Sequence, residues 1–328
     1  MGLLAICLAW GPGPAFGEVF LRLDPKLVVG PKACGECHVS SIAVWKKTPH
    51  AKTYKELPRR KSAKTIAKRM GLRRIKAGSD CLTCHFTSTL KKKRARPIAG
   101  VTCESCHGAG KNWVNIHSDF GGKKVTAKTE KPEHRKARYE KSEAAGLLRP
   151  KNLYQVAANC YSCHTIPNEK LVNVGGHPAG SKFELVAWSQ GEVRHNVWYT
   201  KKNRPAPASR KRMMFVVGKA LDLEYALRGV AKATQKKKYA VFMARRAAAA
   251  RKDLAKIAGL ISAPELKAIL KVAGQAKLKL NNEKQLLAAA KKIAAAARKL
   301  ADGYDGSTFS ALDPLIPKPE NYKGKASN

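Results

Sequence analysis

The chain has 328 residues, enough for one large or two ordinary domains, and its apolar fraction of 44% excludes a disordered polymer. Its 64 Lys and Arg against 23 Asp and Glu give a formal net charge of +41, which points to an anionic partner or surface. Beyond the first residues no stretch is apolar for the roughly eighteen residues that a membrane-spanning helix needs, which excludes such a span from the mature chain.

Residues 1–17 open on the apolar run Gly2-Leu3-Leu4-Ala5-Ile6-Cys7-Leu8-Ala9-Trp10 and pass through Gly11-Pro12-Gly13-Pro14 to small residues. They read as a secretory signal peptide without its basic start, so Cys7 is expected to leave with it and the protein to be periplasmic or extracellular. Ile6 is a poor match to the small residue that a lipid-attachment site wants before its cysteine.

The remaining eight cysteines form four pairs of identical spacing, each followed by histidine: Cys34-Gly35-Glu36-Cys37-His38, Cys81-Leu82-Thr83-Cys84-His85, Cys103-Glu104-Ser105-Cys106-His107 and Cys160-Tyr161-Ser162-Cys163-His164. C-x-x-C-H is the attachment motif of c-type haem: two thiols two residues apart reach the two vinyl groups on one edge of the macrocycle, and the next residue supplies an axial imidazole. Zinc ribbons also use C-x-x-C pairs, but zinc does not call for the histidine. With 9 histidines in 328 residues, four such placements by chance have odds on the order of one in a million. Disulfides, the other use of cysteine in an exported chain, do not explain the repeated spacing. The expected cofactor is therefore four covalently bound haem c groups.

Once those four histidines are assigned, His50, His117, His134, His177 and His195 remain. An electron-transfer haem takes a second His or Met, whereas an open sixth position lets iron bind small molecules. Met70, Met213, Met214 and Met243 sit mostly in basic helical sequence, so histidine on both sides is the expectation. His50 follows Pro49 twelve residues after His38; His117 lies ten after His107, beyond the glycines of Gly108-Ala109-Gly110; His195 lies about thirty beyond the last motif. These three are expected ligands. His177, in Gly175-Gly176-His177-Pro178, is a further candidate, while His134 falls in a solvated charge run and is not expected to bind iron.

The order of these motifs, with Trp45 and His50-Ala51 after the first and Gly100-Val101-Thr102-Cys103-Glu104-Ser105-Cys106-His107-Gly108 around the third, resembles the tetrahaem cytochrome c-554 family over roughly residues 30–200. The resemblance implies a helical fold dominated by closely spaced haems, carrying electrons from a hydroxylamine-oxidising enzyme towards the quinone pool or another acceptor. It also implies that His38 pairs with His117, His107 with His50 and His164 with His195, leaving the haem on His85 without a protein ligand on its far side. Three features depart from the family: His177, which could close that position; a basic insertion near 118–145; and a C-terminal region without counterpart.

The expected fold class is mainly α: an irregular, haem-dominated multihaem cytochrome domain over 18–204, whose core the macrocycles supply, then a small α-helical bundle. Trp45, Trp113, Trp188 and Trp198 are expected to pack against haem. The Pro/Ala/Arg-rich 205–212 reads as a boundary. The basic Ala/Lys-rich region 205–302 has helical periodicity, with helices expected near 218–233, 236–260, 264–273 and 282–302. Ser262 before Pro264 and Glu265, and Asn281 or Asn282 before Glu283, are helix starts. Leu286, Leu287, Ala290, Ile293, Ala294, Ala297 and Leu300 form one apolar face. Residues 303–328 read as a surface coil.

Between 201 and 260 the acidic residues are only Asp222, Glu224 and Asp253. Such basic helices suit phosphate binding, but no recognition motif accompanies them, which argues against nucleic acid. An acidic redox partner protein or an anionic cell surface is the expected partner. Electron carriage between redox partners is the favoured function. The alternatives are an enzyme acting on nitric oxide, nitrite or hydroxylamine at an open His85 haem, and a structural subunit of a haem filament; no acid/base constellation supports the enzyme.

Overall fold

The computed structural model describes residues 23–77, 80–198 and 202–327. The expected signal peptide lies outside them. As expected, the fold is mainly helical, with a single two-stranded sheet among the described residues.

The haem-motif half is built of short helices that start and stop where the motifs dictate. Helix α1 (Pro31–Gly35) starts on proline, whose missing N–H costs nothing at a first turn. It leads through His38 into α2 (Val39–Lys47). Thr48 then caps α3 (Pro49–Glu56), its hydroxyl accepting from Ala51 N at 3.3 Å. After α4 (Lys61–Arg69), the second motif is itself the one-turn helix α5 (Cys81–His85). Strands β1 (Thr87–Lys91) and β2 (Arg94–Ala99) form an antiparallel hairpin, with Leu90 opposite Ala95 and Lys91 opposite Arg94. The third motif is α6 (Cys103–His107), followed by α7 (Val114–Ser118) and α8 (Pro132–Ala144). The fourth motif ends α9 (Leu153–His164).

Apolar packing is sparse up to this point. Before α9, the buried apolar cluster among the described residues consists of Ala67, Ile75 and Phe86. Polar bonds hold the rest. Glu104, buried inside the third motif, accepts from Val29 N at 3.0 Å, Gly30 N at 2.8 Å and Gly110 N at 2.7 Å, tying the approach to the first motif onto the third. Gly108, at φ +87°, lies so close under the Gly146 carbonyl that a Cβ there would collide with it.

Two short helices, α10 (Glu169–Asn173) and α11 (Leu185–Ser189), lead into four long ones: α12 (Ala208–Ala231), α13 (Lys238–Ala258), α14 (Pro264–Gln275) and α15 (Glu283–Gly303). All four expected helices are present, α12 beginning ten residues earlier than its periodicity indicated because Met213, Met214 and Phe215 are buried too. Of the predicted apolar face of α15, Leu286, Ala290, Ile293, Ala294, Ala297 and Leu300 are buried and Leu287 packs at the edge.

The core does not stop at residue 205. One cluster runs from Leu153, Tyr154, Ala157 and Tyr161 on α9, through Leu185 and Val186, to Leu312. The helix that carries the fourth motif is thus built into the bundle, because its other face is apolar. The expected terminal coil includes 3₁₀ turns at Ser310–Leu315 and Pro319–Asn321. It is anchored by buried Phe309 and Leu312 and by Arg212, which grips Asp313 with two bonds of 2.7 Å.

Candidate haem-binding sites

Eight histidines stand in four facing pairs. Ring centres are 6.2 Å apart for His38 and His117, 6.4 Å for His50 and His164, 6.3 Å for His85 and His177, and 6.4 Å for His107 and His195. Two imidazoles on opposite sides of one iron, each bonded at about 2 Å with roughly 1 Å more to its ring centre, have centres about 6 Å apart. Every pair joins one histidine from a C-x-x-C-H motif to one from outside the motifs. The residues therefore fit a bis-histidine haem at each motif. Among the described residues no group of three or more His, Cys, Asp or Glu could hold a bare metal ion, and none of the eight cysteines is in a disulfide.

The pairs differ from those the resemblance implied. His38 faces His117 as expected, the rings nearly parallel at 15°. His50, however, faces His164 rather than His107, and His107 faces His195. The reason lies in how α3 is held. His50's carbonyl accepts from Val101 N at 3.0 Å and Thr53 Oγ1 donates to His85's carbonyl at 2.8 Å, which fixes His50 over the second and fourth motifs. His177 stands opposite His85, at the position the resemblance left open. The turn Gly175-Gly176 delivers it: a Cβ on Gly175 would lie 2.5 Å from Leu171's carbonyl oxygen, and Gly176 sits at φ +78°.

Four of the eight imidazoles have Nδ1 on a backbone carbonyl. Nδ1 of His107 donates to Leu148 O at 2.8 Å, that of His117 to Val114 O at 2.6 Å, that of His177 to Pro178 O at 2.8 Å and that of His195 to Val193 O at 3.0 Å. A carbonyl can only accept, so the proton is on Nδ1 and the Nε2 lone pair is free for iron. Burial works in the same direction by disfavouring the imidazolium: His85 and His164 are both pushed down to about 4, and His38, His50, His107 and His117 also lie below the usual histidine value. Trp113 stands edge-on to His117 at 5.2 Å, Trp188 edge-on to His164 at 5.0 Å, and Trp198 lies 4.2 Å from His38, while Trp45 donates to Val101 O at 2.8 Å.

The thiols place the four motifs in an order that differs from chain order. Cys34 and Cys103 share a hydrogen bond, which holds the Cys103 thiol below and the Cys34 thiol above the usual cysteine value. Cys106 and Cys163 are near enough to interact, with burial raising Cys106 to about 11. Cys163 shares a hydrogen bond with Cys84. The first motif thus adjoins the third, the third the fourth, and the fourth the second. Asn159 Nδ2 donates to Cys106 O at 3.0 Å, fastening α9 to α6.

His134 lies outside the four pairs, as expected, but it is not simply solvated. Its Nδ1 bonds to Glu130 Oε1 at 2.7 Å, within a buried cluster that the sequence reading missed. Arg138 donates to both Glu130 oxygens at 2.7 and 2.6 Å, and its Nη1 to His117's carbonyl at 2.6 Å. The one sequence signal for this brace is the eight-residue spacing of opposite charges around a helix start. Glu104 was missed as well, its signal being a lone acid inside a haem motif between glycine-containing segments.

Residues 33–108, which hold the first three motifs, match the family described as cytochrome c554 and c-prime. A cytochrome c-554 from Nitrosomonas europaea is 35% identical over 100 residues, 28% of this chain and 43% of the relative. The match thus spans less than half the length of that relative. No solved structure matches. With the attachment motifs, the facing histidines and these two similarities in agreement, residues 33–108 are similar to the cytochrome c-554 family of c-type cytochromes.

Proposed function

We propose that this chain is an exported tetrahaem cytochrome that carries electrons between redox partners, with histidine on both sides of every iron. The observation that carries the reading is the set of four histidine pairs at 6.2–6.4 Å, one for each motif. Haem c supplies a reversible one-electron couple, and two imidazoles keep it six-coordinate in both oxidation states. The cysteines Cys34, Cys37, Cys81, Cys84, Cys103, Cys106, Cys160 and Cys163 anchor the macrocycles. The adjacency of motifs supports a path running first, third, fourth, second.

His177 favours a carrier over an enzyme, since it fills the position where a small nitrogen species would bind. The partner is an acidic protein, drawn by the basic surface. Asp222, Glu224 and Asp253 are paired with Arg246, Arg228 and Lys219, and the chain's formal charge with every acid counted is still +41. No helix among the described residues is long and apolar enough to cross a membrane.

Absorption and EPR spectra of the purified protein in both oxidation states, with and without cyanide or nitric oxide, test the closure at His85. Wild type is expected to be entirely low-spin and inert, and His177→Ala to release about one quarter of the haem to the added ligand. A wild type in which about a quarter of the haem already binds ligand would overturn it.

A further inference from the structure

The C-terminal helices reach the fourth motif's histidine through a short polar relay. His164 Nδ1 lies 3.1 Å from Ser181 Oγ, and Ser181 N donates to His164's own carbonyl at 3.2 Å. Ser181's carbonyl accepts from Arg246 Nη1, on α13, at 2.9 Å. Arg246 Nε is in turn paired with Asp222 on α12, and the two side chains are only 9% and 18% exposed. Lys219 and Asp253, joined at 2.7 Å, flank this pair. The approach depends on Gly180: a Cβ there would lie 3.1 Å from His164 O and 3.3 Å from Arg246 Nη1.

On the side away from His50 the ring packs against aromatic side chains. Phe183 stacks on His164 at 4.6 Å and 17°, and Trp188 closes its edge. In such surroundings a fixed charge is poorly screened and acts over longer distances than at the surface.

We propose that the Arg246–Asp222 pair, joined to His164 through Ser181, sets the reduction potential of the haem on that histidine, which makes the C-terminal helices a tuning element of the electron path. Reduction adds one electron from a neighbouring haem or a one-electron donor, with no bond made or broken, and lowers the charge of the site by one. The guanidinium favours the reduced state and the carboxylate opposes it. None of the three touches the iron: Arg246 and Asp222 act by their charge across the poorly screened surroundings, and Ser181 is a positioning residue that acts through His164.

The inference rests on the tetrahaem reading, so mass spectrometry of the intact holoprotein comes first. Fewer than four attached haems would sink that reading independently. Spectroelectrochemical titration at about pH 8, where carboxylates are ionised, then compares wild type with Arg246→Gln, Asp222→Asn and the double variant. One of the four potentials is expected to fall in Arg246→Gln, rise in Asp222→Asn and return towards wild type in the double variant, the other three staying fixed. Arg246→Lys, which keeps the charge, is expected to hold the potential nearer wild type than Arg246→Gln. Ser181→Ala leaves the ion pair in place and is expected to shift the same potential alone. Shifts of one sign in both single variants, shifts spread over all four haems, or none in any variant would overturn the proposal.

Discussion

The brace under His117 gives the sharpest stability prediction. Glu130 has a side chain with no exposed surface and Arg138 one that is 7% exposed, and they meet through two bonds of 2.6 and 2.7 Å. Glu130→Gln keeps the shape, removes the charge and turns an amide N–H₂ towards the guanidinium. Arg138 then remains buried beside Phe120 and Tyr139 with its charge uncompensated. Removing one partner of a buried pair costs about 3–5 kcal/mol. Urea unfolding followed by circular dichroism measures the loss. Glu133→Gln, on the exposed face of α8, is the control and should stay within about 0.5 kcal/mol. The pH dependence gives a second reading. The Arg138 bond holds the Glu130 carboxyl down at about 2, against an ordinary 4.5. A depressed carboxylate contributes its full stability above its unfolded value and loses it as pH falls through the folded one. The contribution is therefore complete above about 4.5 and fades towards 2, so the variant should show a flatter acid limb than wild type. A loss below about 1 kcal/mol with an unchanged acid limb would refute the argument that this pair is buried and closely coupled.

Two further outcomes are expected. Lys92 and Lys93 occupy the two-residue turn of the hairpin at φ 47° and 59°, a left-handed conformation that suits Asn-Gly and disfavours lysine. The double change Lys92→Asn, Lys93→Gly should raise the thermal midpoint by the equivalent of about 1 kcal/mol, and a fall on scanning calorimetry would show that the lysines make contacts the turn needs. The rate of electron transfer with the physiological partner, followed by stopped flow, should drop steeply between low and physiological salt because exposed charges are screened beyond about 8–10 Å; a salt-independent rate would show that the basic surface does not steer the encounter.

The sequence alone determined the chemistry that is written in local spacing. A thiol pair two residues apart followed by imidazole is a one-turn unit, and α5 and α6 are that unit with nothing added. The helices after residue 205 were legible for the same reason, since an apolar stripe such as Leu286 to Leu300 repeats within a few turns. Subtracting the motif histidines left His50, His117, His134, His177 and His195, and the charge run around His134 set that one aside. The tertiary structure decided which of them faces which motif. His50 and His164 are 114 positions apart, and no rule of spacing says that α3, held by Val101 and Thr53, turns its histidine towards the fourth motif and away from the third. The Gly175-Gly176 turn that brings His177 to His85, Glu104 reaching back to Val29 and Gly30, and Arg246 reaching Ser181 are likewise long-range contacts. Each is decided by how α9 and the hairpin pack against their neighbours, which a linear pattern of residue types does not encode.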